Sequence, residues 1–454
     1  MKTFAINTLG CKVNQYESQQ IRELLERFGL LPAEPADRAD LVVVNTCCVT
    51  HIASAKSSQY IRKAQKHYPD ATIVIAGCLP VGQSEELTSI DGNVCIVWQK
   101  KDLAKTLAEL LQAGGTDNDT LQADKSNSYL TSKRAVSLNK TKTAKTSHKK
   151  ELAASSCPAQ LSPLSSYAGR SRAFLKIQDG CDGYCTYCII PKIRSEIYNK
   201  PASVVLQEAY NLVYAGHKEI VLIGIFLGAY GQNTVRRTNW EASKKDKLAE
   251  LVGKVAQVPG LERVRLSSLE VGDVTDRLLD VFCKHRNVMP HLHLPLQSGS
   301  ERILKKMRRQ YSVGQFLQVV DRVRVRLDRP AITTDIIVGF PGETDEDFER
   351  TMEVARGAAF AKMHVFSFSA RAGTAAVKMQ PTVGTGVIKE RSRRLRQLDE
   401  ELQERFRRQF VGEKVGIIVE KTGPVRGRSE RYFMVELDPK ETAKRGEFIQ
   451  AIGS

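Results

Sequence analysis

The chain has 454 residues, more than one typical core accommodates, so two or three domains are expected. It is 42% hydrophobic and 26% charged, no apolar run reaches the roughly 18–20 residues of a membrane helix, and the start MKTFAINTLGCK lacks a signal-peptide layout. No membrane span is expected and the cytoplasm is the expected location, while 68 Lys and Arg against 51 Asp and Glu (net charge +17) favour a polyanionic partner, most commonly nucleic acid.

Residues 1–112 alternate short apolar strands with amphipathic helices, the pattern of a parallel α/β domain. Strands are expected at Thr3–Leu9, Leu41–Asn45, Thr72–Ala76 and Cys95–Trp98, with Ile21, Leu24, Leu25 and Phe28 forming a helix stripe. Residues 113–170 are rich in Ser, Thr, Ala and Lys, with seven Lys or Arg and no acid from Lys133 to Lys150, and read as a flexible basic linker. From 171 to 386 the βα alternation resumes. AFLKIQ, EIVLIGI, RVRLSSL, HLHLPLQ, AITTDIIVGF and MHVFSFS give six strands, which suggests an incomplete β/α barrel with functional groups at the strand C-termini. Residues 387–410 form a basic connecting helix with an apolar stripe of Leu395, Leu398, Leu402, Phe406 and Phe410. Its Arg393, Arg394, Arg396, Arg407 and Arg408 read as solvated surface. Residues 411–454 read as a small β-barrel of short strands, KVGIIVE, RYFMVEL and EFIQAIG.

The ten cysteines of a chain without a secretion signal point to metal or cluster ligation rather than disulfides. Cys95 and Cys283 read as small buried hydrophobes. Cys181, Cys185 and Cys188, in CDGYCTYC, stand directly after the first strand of the six. Three thiolates on one short loop hold three irons of a 4Fe–4S cluster and leave the fourth open, whereas structural zinc normally has four ligands. No fourth Cys or His follows within twenty residues, and the next His is His217. The spacing alone leaves zinc open.

A second trio is spread along the first domain: Cys11, Cys47 and Cys78 each follow an expected strand. Such strand ends converge on one crevice of a parallel sheet, so a second three-thiolate cluster is one reading and three unrelated buried cysteines the other. Cys48 is expected to point elsewhere.

The arrangement around CDGYCTYC resembles the radical S-adenosylmethionine (SAM) superfamily. LGCKVNQYES, NTCCVTHIASAKSSQYIRKA, AGCLP, RLSSLEVGDVTD, HLHLPLQSGSERILKKMRR and AITTDIIVGFPGETDEDFE together resemble the methylthiotransferase family, across nearly the whole chain except the linker. The resemblance implies two 4Fe–4S clusters, one on Cys181, Cys185 and Cys188 that cleaves SAM, and an auxiliary one on Cys11, Cys47 and Cys78. It implies that Tyr187 packs beside the SAM adenine and that Gly224, Gln297, Ser298 and Gly339 line the SAM site. It also likens the tail to a TRAM domain, an RNA-binding β-barrel in which Lys421, Arg426 and Arg428 are the candidate phosphate contacts. LGCKVNQYES and GIFLGAYG look most like the branch that methylthiolates carbon 2 of threonylcarbamoyl-adenosine beside the tRNA anticodon. That activity calls for tRNA, an electron donor and a sulfur source.

Several positions depart from the family pattern. Where Tyr-Ala-Arg-Gly usually follows IIP, the chain has Lys192, Ile193, Arg194 and Ser195; Ser367 and Ala370 replace frequent prolines, and Phe226 a common histidine. These bear on substrate fit more than on radical chemistry. The competing readings are a methylthiotransferase of a ribosomal-protein aspartate and a non-enzymatic zinc or redox RNA-binding protein.

Overall fold

The computed structural model describes residues 1–34, 38–82, 87, 92–113, 161–236, 246–438 and 442–453. Most of the expected linker, with Cys157, lies outside the described residues. The chain divides into two compact units: Met1–Thr8, Gln20–Thr46 and Ser57–Ser162 in the first, and Leu9–Gln19, Cys47–Lys56 and Pro163–Ser454 in the second. Among the described residues no helix is long and apolar enough to cross a membrane.

In chain order the elements begin with β1 (Thr3–Thr8), α1 (Lys12–Arg27), β2 (Leu31–Pro32), β3 (Leu41–Thr46), α2 (His51–His67), β4 (Thr72–Gly77), α3 (Leu79–Gly82), β5 (Val94–Ile96) and α4 (Leu103–Ala113). The strands make one parallel sheet in the order β2-β1-β3-β4-β5. Both β3 and β4 are almost wholly buried runs of apolar residues, as strands covered on two faces must be. Ile21, Leu24 and Leu25 pack with Phe4, Leu41, Val43 and Val74, with Phe28 at the margin. β2 escapes a sequence reading because it is two exposed residues, one of them proline. Gly77 closes β4 at φ +94°, where a Cβ would come within 2.4 Å of the Thr46 carbonyl oxygen, so only glycine fits.

The second unit continues with β6 (Ala173–Lys176), β7 (Gln178–Asp179), α5 (Ile190–Ile193), β8 (Tyr198–Asn199), α6 (Ala202–Tyr214), β9 (Glu219–Ile223), α7 (Lys247–Ala256), β10 (Arg263–Leu266) and α8 (Asp276–Lys284). Then come β11 (His291–His293), α9 (Glu301–Met307), α10 (Val313–Arg326), β12 (Ala331–Val338), α11 (Asp345–Ala358), β13 (Lys362–Ser367) and α12 (Thr385–Arg408). The six expected strands are present as two parallel sheets, β10-β9-β6 and β11-β12-β13. Isolated parallel bridges, Val264 to Val288 and Ser268 to His293, run between the β10 and β11 segments. Side-chain caps fix where helices start. The Thr344 hydroxyl accepts the Asp347 N–H while Asp347 accepts the Thr344 N–H, a reciprocal cap on α11. Phe348, Met352 and Ala355 of α11 then join the main core.

Cys283 is exposed rather than buried. The buried face of α8 is Leu278, Leu279 and Phe282, and the next residue along is rotated by about 100° away from it. In α12, Leu395, Leu398, Leu402 and Phe406 are buried as expected. Arg393, Arg394, Arg407 and Arg408 pair with Glu390, Glu349 and Glu404 on partly solvated faces. Arg391 is the exception, buried with Glu343 at 2.6 Å.

The chain ends in β14 (Lys414–Thr422), β15 (Val425–Ser429), β16 (Met434–Glu436) and β17 (Phe448–Ile452), a four-stranded antiparallel sheet in the order β16-β15-β14-β17. The segment EKTGPVRGRSE, which carries Lys421, Arg426 and Arg428, is the β14–β15 hairpin. Its sheet docks at the N-terminal ends of the parallel strands. Arg265 donates to the Ser429 and Glu430 carbonyls at 2.6 and 2.9 Å, and Arg263 to the Arg428 carbonyl at 3.0 Å. Glu219 at the start of β9 neutralises both arginines, at 2.8 Å from Arg265 and 3.6 Å from Arg263.

Candidate functional site

The CDGYCTYC loop is held by its backbone and by small residues. Gly180, at φ +81°, lies so close to the 196–197 peptide that a Cβ would fall 1.8 Å from the Glu196 carbonyl oxygen. The next residue, Cys181, donates its N–H to the Arg194 carbonyl at 2.8 Å. Thr186 gives its N–H to Met307 and its hydroxyl to Lys306, at 3.1 and 2.9 Å, and its carbonyl accepts the Ala376 N–H at 2.8 Å. Asp182 accepts from Val235 N–H at 2.8 Å and from the Thr234 hydroxyl at 2.7 Å.

On this frame Cys181, Cys185 and Cys188 are free, half-buried thiols. Burial pushes Cys181 up to about 11 and Cys188 up to about 12. Two donors are already aimed at sulfur: Gly183 N–H at Cys181 Sγ and the Arg309 guanidinium at Cys185 Sγ, each at 3.3 Å. Three soft sulfur donors, with positively polarised groups set to stabilise them as thiolates, fit an iron–sulfur cluster with one open iron. Arg309 also contacts the Tyr187 hydroxyl at 3.4 Å and forms an ion pair with Glu270. Sequence reasoning missed Arg309 and Glu270, because nothing marks one arginine of KKMRRQY or one acid of SSLEVGD as facing the cysteines.

Of the remaining positions singled out from sequence, Tyr187 lies in the cysteine loop and the others follow strands β9, β11 and β12. Tyr187 is packed beside Ile303, Met307 and Phe340. Gly224 follows β9, where a Cβ would stand 3.0 Å from Gln178 Oε1 and 3.2 Å from Leu227 Cα. Gln297 adopts φ +65°, gives its N–H to the Asp335 carbonyl at 2.8 Å and accepts the Ile337 N–H at 2.9 Å. Ser298 is buried, its hydroxyl accepting the Ser300 N–H at 3.2 Å. Gly339, at φ +80°, donates to Glu343 at 2.8 Å. Ser267, just after β10, has a buried hydroxyl with no hydrogen-bond partner among the described residues, a group open to a polar ligand.

The other cysteines are placed as follows. The turn that carries Cys11 comes up against Cys47: a Cβ on Gly10 would lie 2.8 Å from Cys47 Sγ, so only glycine allows that approach. Burial raises the Cys47 thiol. Cys78 belongs to the first unit, at the end of β4, where its N–H donates to the Thr46 carbonyl at 3.0 Å. Cys48 is buried beside Arg371, and burial pushes its thiol up to about 11. In the C-terminal sheet Lys421 is exposed. Arg426 pairs with Glu436 at 2.7 Å, and Arg428 with Glu420 at 2.9 Å while lying 4.5 Å from the Tyr432 ring centre.

Two family models match the chain: that described as "Uncharacterized protein family UPF0004" over residues 3–98, and the Radical SAM superfamily over residues 175–355. The threonylcarbamoyladenosine tRNA methylthiotransferase MtaB of Bacillus subtilis is 35% identical over 422 residues, covering 93% of this chain and 85% of that protein. The chain belongs to the radical SAM methylthiotransferase family. Methylthiotransferases of this kind are enzymes that use 4Fe–4S clusters and SAM. The MtaB protein of Thermotoga maritima is 34% identical over 440 residues, 96% of this chain and 91% of that protein. A tRNA-2-methylthio-N(6)-dimethylallyladenosine synthase of Nocardia farcinica is 32% identical over 454 residues, covering 98% and 84%. Among solved structures, the radical S-adenosylmethionine methyltransferase TsrM of Kitasatospora setae aligns with a TM-score of 0.52 at 12% identity, covering 83% of this chain and 74% of that one, a likeness of fold alone.

Proposed function

We propose that this methylthiotransferase adds a methylthio group to carbon 2 of threonylcarbamoyl-adenosine beside the tRNA anticodon. The observation that carries the reading is the presence of two separate thiol groups, the Cys181/Cys185/Cys188 loop and Cys47 with the Gly10–Cys11 turn against it, in a chain related over nearly its full length to proteins named for that activity. Cys181, Cys185 and Cys188 would hold the SAM-cleaving cluster, and Cys11, Cys47 and Cys78 the auxiliary cluster. When bound, the clusters and SAM supply radical chemistry at an adenine C–H that no side-chain base could deprotonate.

The chain's own residues do the rest. Tyr187, Gly224, Gln297, Ser298 and Gly339 would line the SAM site, with the buried Ser267 hydroxyl available to a ribose. Arg309 keeps a cation beside Cys185, and Tyr187, packed on Ile303, Met307 and Phe340, gives that side an apolar wall. Lys421, Arg426 and Arg428 would meet tRNA phosphates once the last two release their acidic partners. We read the two parallel sheets as an incomplete six-stranded barrel and the C-terminal sheet as a TRAM-like barrel. The domains would span 1–112, 171–386 and 411–454, with the linker at 113–170 and the connecting helix at 387–410. A cytoplasmic setting would supply the electron donor and the sulfur source.

The test is anaerobic purification and reconstitution, with iron and sulfide measured as each cysteine trio is replaced. About eight irons per chain, falling by about half with either trio gone, is the expected result. Zinc in their place, or iron indifferent to loss of Cys11, Cys47 and Cys78, would overturn it.

A further inference from the structure

The loop that carries Cys181, Cys185 and Cys188 also presents a large aromatic side chain to solvent. Tyr187 packs on Ile303, Met307 and Phe340, whereas Tyr184, directly before Cys185, is left 41% exposed. Exposure does not leave it loose. The Arg236 guanidinium lies over the Tyr184 ring, 5.5 Å from its centre. That guanidinium is itself anchored: its Nε donates to the Asp182 carbonyl at 2.7 Å. The Asp182 carboxylate is fixed in turn by the Val235 N–H and the Thr234 hydroxyl. One side of the ring thus meets an anchored cation, and much of the rest meets solvent.

A single exposed aromatic is ordinary on a protein surface. This one differs in its company. At the far end of the same loop, in α5, Lys192 is exposed and forms no hydrogen bond or ion pair among the described residues. Its Nζ would stand 3.3 Å from a Cβ on Gly373, so its arm lies against the turn that follows β13. Lys192 is also one of the departures from the family pattern, and the SAM site makes no use of it. An aromatic ring, an arginine and a lysine around one loop are the mixture that holds single-stranded nucleic acid, in which bases stack on rings and cations meet phosphates. For carbon 2 of an adenine to reach the chemistry at this loop, the nucleotides joined to it must pass over the loop's surface.

We propose that Tyr184, backed by Arg236, is the stacking platform for a base next to the target adenine in the anticodon loop, and that Lys192 takes a phosphate of the same strand. The inference rests on the tRNA reading given above and adds the residues that hold the RNA beside the cysteine loop. Every base has a flat face, so stacking tolerates any sequence. Tyr184 therefore fixes the position of the strand and leaves the choice of tRNA to other contacts. The ring does this work rather than the hydroxyl.

The test uses the reconstituted full chain, without reductant so that nothing turns over, and an anticodon stem-loop RNA carrying threonylcarbamoyl-adenosine. A 5-iodouridine is placed in turn on either side of that nucleotide. Irradiation joins a stacked 5-iodouridine to the aromatic ring against it, and mass spectrometry of the digested complex locates the join. One of the two labels should be joined to Tyr184. Tyr184→Leu should weaken binding, read by fluorescence anisotropy, about five- to a hundredfold, the range of one base stack. Tyr184→Phe should bind like wild type, and Arg236→Ala should weaken binding by a smaller factor. Lys192→Ala should lower the slope of log Kd against log salt by about 0.7, as loss of one single-strand phosphate contact does. Iron content checks each variant, and the join is read on the unaltered protein, so it decides even if Tyr184→Leu loses its cluster. RNA that binds but joins only to other residues overturns the platform alone, as does undiminished binding by Tyr184→Leu. An unchanged salt slope in Lys192→Ala overturns its phosphate contact. A stem-loop that does not bind at all overturns the tRNA reading as well.

Discussion

The guanidinium of Arg194 grips both carboxylate oxygens of Glu17, at 2.9 and 3.0 Å. The same guanidinium reaches Asn14 at 3.2 Å and Asp179 at 2.9 Å, while the Arg194 carbonyl accepts the N–H of Cys181. One residue thus ties the helical turn after Cys11 to the loop of the other cysteine trio. Lys176 completes the network, 3.1 Å from Glu17 and 2.8 Å from Asp179. A two-pronged contact of this kind fixes orientation as well as distance. Arg194→Ala should cost about 3–5 kcal/mol, because it leaves buried carboxylates short of charge. Arg194→Lys should recover stability better than product formation. Thermal unfolding and methylthio-product yield, measured on the same preparations, separate the two effects.

Gly180→Ala tests the frame of the loop. The added methyl would drive into the Glu196 carbonyl, and φ +81° is itself unfavourable for alanine. The loop must move, so about half the iron should be lost while the Cys11, Cys47 and Cys78 share persists. Full iron occupancy in this variant would show that the loop tolerates displacement.

Arg309 stands beside Cys185 and is balanced by Glu270. Replacing it with methionine removes a positive charge and a hydrogen bond to sulfur, both of which favour the reduced cluster. Its midpoint potential should fall by on the order of tens of millivolts. Redox titration followed by electron paramagnetic resonance reads this directly, and an unchanged potential would place Arg309 outside the cluster's electrostatic reach.

Glu219 gives a pH prediction. Burial opposes its ionisation, but Arg265, Arg172 and Arg263 outweigh burial and hold its pKa below the ordinary carboxylate value. A depressed folded-state pKa adds stability that is complete above the unfolded value, about 4.3, and is lost as pH falls through the folded one. Glu219→Gln should therefore lower Tm at neutral pH, by the equivalent of about 3–5 kcal/mol, with the gap to wild type closing in acid. A gap independent of pH would assign the loss to packing instead.

How far the sequence announced all this depends on the range of each interaction. The strands around the cysteines were legible because apolar alternation and cysteine spacing are local signals. The Arg194 and Glu17 contact was not, since its partners are separated by 177 residues and each looks like an ordinary surface charge. Strand β15 was hidden for another reason. Its sequence, VRGRS, is mostly polar, yet Val425, Gly427 and Ser429 face inward. Gly427 is needed there because a Cβ would come within 2.6 Å of Ile417.

The three-way hold on Thr186 has a consequence for the protein's life in air. Its N–H, hydroxyl and carbonyl are all tied to segments far along the chain, and none of these ties passes through a cysteine sulfur. A cluster lost from the loop to oxygen would therefore leave these ties in place. The damaged enzyme would then be a vessel to be refilled rather than a chain to be refolded or replaced.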